Sequence, residues 1–194
     1  MKAQTITTKK IVLTALLAAL TVAGSYARIT VPADITGTTS FHLGNIFCAL
    51  SGILLGPMCG GLAAGLGSAI FDILNPLYIS ECWITFIMKG AYGLVAGLIA
   101  WGGKKLWNAG VPYSYLKALL ATIGGALTYA VLYLAKSYFY GGLLLGGLTP
   151  AAAMVTVVSK LPATIFNAVV AIVCAPLLAV AVSKALEKAH LRLD

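Results

Sequence analysis

Apolar residues run along this chain in long blocks separated by short polar breaks, and the block lengths predict membrane helices. A bilayer core of ~30 Å takes about 20 apolar residues per helix. The first block predicts a span over 11–29. Residues 30–41, TVPADITGTTSF, are polar and turn-forming, and form the first loop. Two blocks follow, 43–55 and 58–74, divided by Gly56-Pro57. The former reaches only ~20 Å as a helix, so two short helices fit better than one that crosses the Gly-Pro turn. Asn75-Pro76 closes the third helix, and further blocks predict spans over 83–101 and 115–138. Residues 141–158, GGLLLGGLTPAAAMVTVV, are apolar but rich in glycine. They predict a hydrophobic loop with a short helix, Thr149-Pro150 serving as N-cap and first helical position. The last span covers 159–186, with Pro162 near its start and a kink at Pro176. The expected fold is an all-α membrane protein, a compact bundle of six transmembrane helices in one domain over 1–194.

Small residues recur at helical spacing inside these blocks. Ala15, Ala19, Ala23 and Ala27 form a smooth stripe on helix 1. Gly61 and Gly65 on helix 3, and Gly93 and Gly97 on helix 4, repeat the pattern that lets membrane helices approach closely. Trp83 and Trp101 stand at the two ends of helix 4, where interfacial anchors are expected.

Composition agrees with this class. The chain is 60% hydrophobic and 9% charged, against about 25% charged residues in soluble domains. The net charge of +8 is a topology signal, since no nucleic-acid motif accompanies it. With the N-terminus inside, Lys2, Lys9, Lys10, Lys104, Lys105, Lys117, Lys184, Lys188 and Arg192 all fall on the cytoplasmic side. A seventh span at 141–158 would move the tail lysines outside. The positive-inside rule therefore favours six spans with both termini cytoplasmic. The opening MKAQTITTKK and its apolar run are read as a retained first helix rather than a cleaved leader.

Catalytic and metal signatures are sparse. The chain has no GxxxxGK[ST] and no HExxH. Cys48, Cys59, Cys82 and Cys174 form no CxxC pair and read as packing residues, so no metal or cofactor is expected. Ala49-Leu50-Ser51-Gly52 loosely matches an intramembrane serine protease motif, but a nucleophile needs a base within reach, and His190 lies in the inner tail. No catalytic residue is assigned.

Ionisable residues within membrane spans are costly, and their default reading is functional. Asp72, Glu81, Lys89, Lys136, Lys160 and Asn167 come from four helices and fall at one depth, toward the outer side, together with tyrosines of helix 5. Glu81, Trp83, Lys89, Tyr133, Lys136, Lys160 and Asn167 are expected to line one outer pocket. Three lysines against Asp72 and Glu81 suit a ligand with a carboxylate or many acceptors. A neutral ligand held by tyrosines and Asn167 fits as well.

At this point the sequence resembles the substrate-binding S components of energy-coupling factor (ECF) vitamin transporters. The resemblance rests on Ala15-Leu16-Leu17-Ala18-Ala19, His42-Leu43-Gly44, Leu54-Leu55-Gly56-Pro57, the small-residue helix from Gly61 to Leu74, and Lys89-Gly90, in that order. Related proteins often carry aspartate after His-Leu-Gly; this chain has Asn45. The resemblance implies a high-affinity binding subunit without an ATPase of its own. It implies docking through helix 1, at Ala15 and Ala19, onto a transmembrane coupling subunit that sits on two cytoplasmic ATPase subunits. The substrate would be a vitamin or related micronutrient. An intramembrane enzyme or a membrane assembly factor is the alternative.

Overall fold

The structure, a computed structural model, describes residues 7–34, 37–102 and 114–188, with 33, 34 and 37 as backbone. Its elements in chain order are α1 (Thr8–Tyr26), the strands β1 (Arg28–Asp34) and β2 (Gly37–His42), α2 (Gly44–Leu55), α3 (Pro57–Ile73), α4 (Cys82–Trp101), α5 (Tyr115–Lys136) and α6 (Pro150–Lys188). A short 3-10 turn, Ile79–Glu81, leads into α4. Four helical segments are long and apolar enough to cross a membrane: Thr8–Tyr26, Ile79–Trp101, Tyr115–Leu145 and Pro150–Lys188. The architecture is that of an all-α membrane protein carrying one small hairpin.

The two remaining helices are short for a reason the packing makes plain. In α2 every residue except Phe47 is buried. It is enclosed by α1, α3, α4, α5 and α6, so its uniformly apolar surface meets protein, as expected of a helix hydrophobic all round. At Gly56 the chain turns with φ 85°, a left-handed value that glycine adopts without strain. Pro57 then opens α3 as its first residue.

The tightest backbone approach joins α3 to α4. A Cβ placed on Gly93 would lie 2.6 Å from the Gly60 carbonyl oxygen, and one on Gly65 would lie 2.8 Å from that of Phe86. Both glycine pairs singled out in the sequence therefore face this seam. Trp101 is bound inward, its indole N–H donating to the Ile53 carbonyl of α2 at 2.7 Å.

Three segments differ from the sequence expectation. The loop 30–41 includes most of an antiparallel hairpin, β1 with β2, pairing Thr30 with Ser40 and Val31 with Thr39. β-Branched residues favour strands, and Thr30 and Ser40 add a side-chain hydrogen bond at 3.1 Å. Beyond α5 the helix widens into a π-helical segment, Ser137–Leu145. Finally, α6 starts at Pro150 rather than 159, so Lys160 and Pro162 lie within a continuous helix and not at its start. Thr149 opens that helix, its hydroxyl accepting from the Ala152 N–H at 3.4 Å. Around Pro162, which supplies no N–H, Ser159 donates to the Thr156 carbonyl at 2.8 Å and Thr164 to the Lys160 carbonyl at 2.8 Å.

The α3–α4 seam generates a prediction. Gly93→Val should force the two backbones apart and destabilise the protein by about 1–3 kcal/mol. The thermal midpoint in detergent should fall, while Gly102→Val, at a position with open space around it, should give no clash-driven loss beyond its own backbone strain. Equal midpoints for Gly93→Val and wild type would show that the seam does not hold the fold.

Candidate functional site

One end of the bundle encloses a cavity of about 320 Å³, within the range of small-molecule sites. Its walls come from the C-terminal parts of α3 and α5, the first turns of α4 and the middle of α6. The hairpin covers it through Thr38, Thr39, Ser40 and His42.

The roof is fastened on two sides. Toward α6, the Asn167 side chain accepts from the His42 backbone N–H at 2.8 Å and donates to the Ser40 carbonyl at 2.8 Å. One amide thus satisfies two main-chain groups of β2, much as a neighbouring strand would. Toward α3, the Arg28 guanidinium lies 4.8 Å from the Phe71 ring centre and 5.0 Å from that of Tyr78, a cation–π arrangement. The Thr38 and Tyr78 hydroxyls share a hydrogen bond at 3.1 Å. His42 closes the hairpin, and its Nδ1 accepts from the Gly44 N–H at 3.1 Å. Burial first, then the charges of Lys89 and Arg28, hold its imidazole well below the ordinary value, so the ring is neutral.

The walls carry the charges. Lys89, 5% exposed, donates to the Asn45 side-chain oxygen on α2 and sits 3.8 Å above the Tyr129 ring centre. Tyr92, Tyr129 and Tyr133 stack in a ladder with centres 6.0 and 5.7 Å apart. Lys136 and Glu81 form an ion pair at 2.6 Å that joins α5 to the turn before α4. Asp72 is buried and accepts from Thr85. Lys160, Thr164 and Asn167 follow one another at helical spacing and share one face of α6.

Of the residues expected from the sequence, Glu81, Lys89, Tyr133, Lys136, Lys160 and Asn167 line this single cavity. Trp83 does not. It is 56% exposed and meets Tyr140 edge-on, with centres 6.2 Å apart. It lies about 120° around α4 from Lys89, whereas Thr85 lies only about 40° away. Arg28, Ser40, His42, Tyr129 and Thr164 also line the cavity without having been chosen. Tyr129 and Thr164 were within reach of helical spacing, each four residues from a chosen neighbour. Arg28 and Ser40 were not, because their place depends on the hairpin. Among the described residues no group of three or more His, Cys, Asp or Glu side chains is arranged to hold a metal ion.

A helical membrane bundle with a hairpin-roofed cavity of vitamin size, and with charges from several helices directed into it, has the build of a substrate-binding transport subunit. Residues 5–184 match the family model described as ECF-type riboflavin transporter, S component, and the chain belongs to this family. It is therefore the kind of protein that serves as a transporter subunit rather than an enzyme. It is also 33% identical over 124 residues to a Pyrococcus woesei protein described as "Uncharacterized protein in gap 3'region", a match covering 64% of this chain and 74% of that one.

Asn167 gives a second prediction. Asn167→Ala removes both bonds to β2 and leaves two partly buried main-chain groups without that partner, at up to about 1–3 kcal/mol each. Hydrogen exchange at the amides of residues 38–42 should accelerate about tenfold or more. Unchanged exchange there would mean that the Arg28 side alone keeps the hairpin closed.

Proposed function

We propose that this chain captures a vitamin or related micronutrient from outside the cell and delivers it, through partner subunits, to ATP-driven uptake. The observation that carries this reading is the roofed cavity at one end of the bundle. Riboflavin, named in the family's description, is the reference ligand. Its flat ring would suit the Tyr129–Tyr133 wall and its polar chain the hydroxyls and charges around it.

Orientation follows from charge. Lys9 and Lys10 at the start of α1, Lys117 at the start of α5, and Lys184 and Lys188 at the end of α6 all belong to the end opposite the cavity. The positive-inside rule puts that end in the cytoplasm and the cavity outside, with both termini cytoplasmic. Lys2, Lys104, Lys105 and Arg192, which carry the same argument in the sequence, lie outside the described residues.

The partner surface is read from α1. Ala15, Ala19, Ala23 and Ala27 are all exposed, flanked by exposed Ile11, Val12, Leu16 and Leu20. A smooth apolar face of this kind suits a second membrane helix packed closely against it. The partners would be a transmembrane coupling subunit and two cytoplasmic ATPase subunits. An intramembrane serine protease is disfavoured by Ser51. It is fully buried and donates to the Cys48 and Gly60 carbonyls at 2.9 Å each, a packing role.

Two measurements test this reading. Calorimetry on the purified protein with riboflavin and other vitamins should reveal one tight ligand. Uptake of that ligand by cells co-producing the coupling and ATPase subunits should vanish in the double variant Ala15→Trp, Ala19→Trp. Its affinity in the isolated subunit should stay within about twofold, since both residues are remote from the cavity. Undiminished uptake by the folded double variant would remove α1 as the docking surface.

A further inference from the structure

The hairpin returns to the bundle through His42, and the side chain of this residue is placed to hold the return. α2 begins at Gly44, whose N–H is one of the helix-start donors that have no partner inside the helix. Leu43, at the cap position, gives it no side-chain bond. His42 does, its Nδ1 accepting from the Gly44 N–H at 3.1 Å. Nδ1 can accept only while it carries no proton, so the ring is neutral with its hydrogen on Nε2. The main-chain N–H of His42 is held by Asn167, and that of Leu43 donates to the Gly24 carbonyl at 3.1 Å. The joint between roof and bundle thus includes one titratable atom.

A proton on that atom meets opposition from three sides. Two N–H groups would face each other where the Gly44 bond now stands. The new cation would sit at the N-terminus of α2, the positive end of the helix dipole. Arg28, opposite His42 in the hairpin register, and Lys89 of α4 both act against it. The other charged groups lining the cavity are Asp72 of α3, Lys160 of α6, and Glu81 and Lys136, which pair with each other. α1 lines it with Ser25, which does not titrate, and Cys48 of α2 and the tyrosines of α5 are uncharged in acid. Asp34 belongs to the other end of the hairpin, opposite Gly37.

We propose that His42 is a proton-operated latch on the roof: neutral, it caps α2 and keeps the hairpin closed; protonated, it releases the hairpin and opens the cavity. The latch acts on the roof itself, whichever ligand the cavity takes.

The direction follows from linkage. In the open roof the imidazole meets water and titrates near its ordinary value of about 6.5. In the closed roof burial, then the charges of Lys89 and Arg28, hold it well below that. Opening therefore takes up a proton. The closed roof keeps its full stability above about pH 6.5 and loses it as pH falls, the opening constant rising about tenfold per unit. A cavity closed in this way holds its contents at neutral pH and gives them up in acid.

Hydrogen exchange on the purified full chain in detergent, without ligand, reads the roof directly. Protection factors, which correct for the intrinsic pH dependence of exchange, should fall about tenfold at residues 38–42 between about pH 7.5 and about pH 5.5. His42→Asn offers Gly44 an amide oxygen that accepts without titrating, and should keep its protection over the same range. Equal protection of the wild type at both pH values would overturn the latch. So would an equal loss in His42→Asn, which would assign the acid response to another group such as Asp72. The chain has two histidines, so in a His190→Gln background the NMR titration of His42 stands alone with the roof unaltered. A midpoint at or above about 6.5 there would overturn the latch even if His42→Asn does not fold.

Discussion

The length of α2 governs the rest of the molecule. Its twelve residues rise ~18 Å as a helix, well short of a ~30 Å hydrocarbon core. Because α2 stands at the centre and the helices around it are longer, the bundle is solid at one end and hollow at the other. The hollow is the cavity, Asn45 in the first turn of α2 reaches Lys89 at its base, and the hairpin that precedes α2 closes it from above. Gly56 and Pro57 make the arrangement permissible at the solid end, where α2 turns directly into α3 and the backbones of α3 and α4 come close enough to exclude side chains.

Polar groups in this apolar setting fall into two kinds. Hydroxyls mostly satisfy themselves within their own helix: Thr21, Ser25, Thr122, Thr128 and Thr164 each donate to the carbonyl four residues earlier, at 2.8 to 2.9 Å. Such groups need no partner from elsewhere and can be buried anywhere along a span. Charged and amide side chains cannot do this. Lys89 finds Asn45, Lys136 finds Glu81, and Asn167 finds the hairpin. Each of these bonds crosses between elements, and all three gather at the cavity. The costly groups of the membrane domain are therefore also those that shape and close the site.

The two ends of the molecule differ in what they offer. One presents a roofed, charged hollow with stacked tyrosines. The other gathers lysines where α1, α5 and α6 begin or end, and the exposed alanine stripe runs along α1 between the two levels. In the proposed role the separation is useful. A partner packed on α1 need not touch the cavity, and ligand capture need not wait for the partner. The hairpin is joined to α6 by the Asn167 amide and by Phe41 edge-on to Phe166, and toward α3 by the Arg28 guanidinium between two rings and the Thr38–Tyr78 hydrogen bond.

Hydropathy by itself determined the class of the protein, the number of its helices and the break at Gly56-Pro57, because burial in lipid is decided by each segment's own composition. Helical spacing likewise put the glycines of α3 and α4 on facing sides, and depth along the spans brought six of the seven chosen site residues to one level. Only the tertiary structure decided the rest. The polar stretch after α1 became a hairpin because α6 offered Asn167 as its partner, from 125 and 127 residues away in the chain. The apolar stretch before Lys160 joined α6 as continuous helix, and Trp83 turned away from the site although its neighbours Thr85 and Lys89 turned in. Depth is a property of one helix. Partnership depends on rotation about the helix axis and on which distant segment packs alongside, and neither is written in the local pattern.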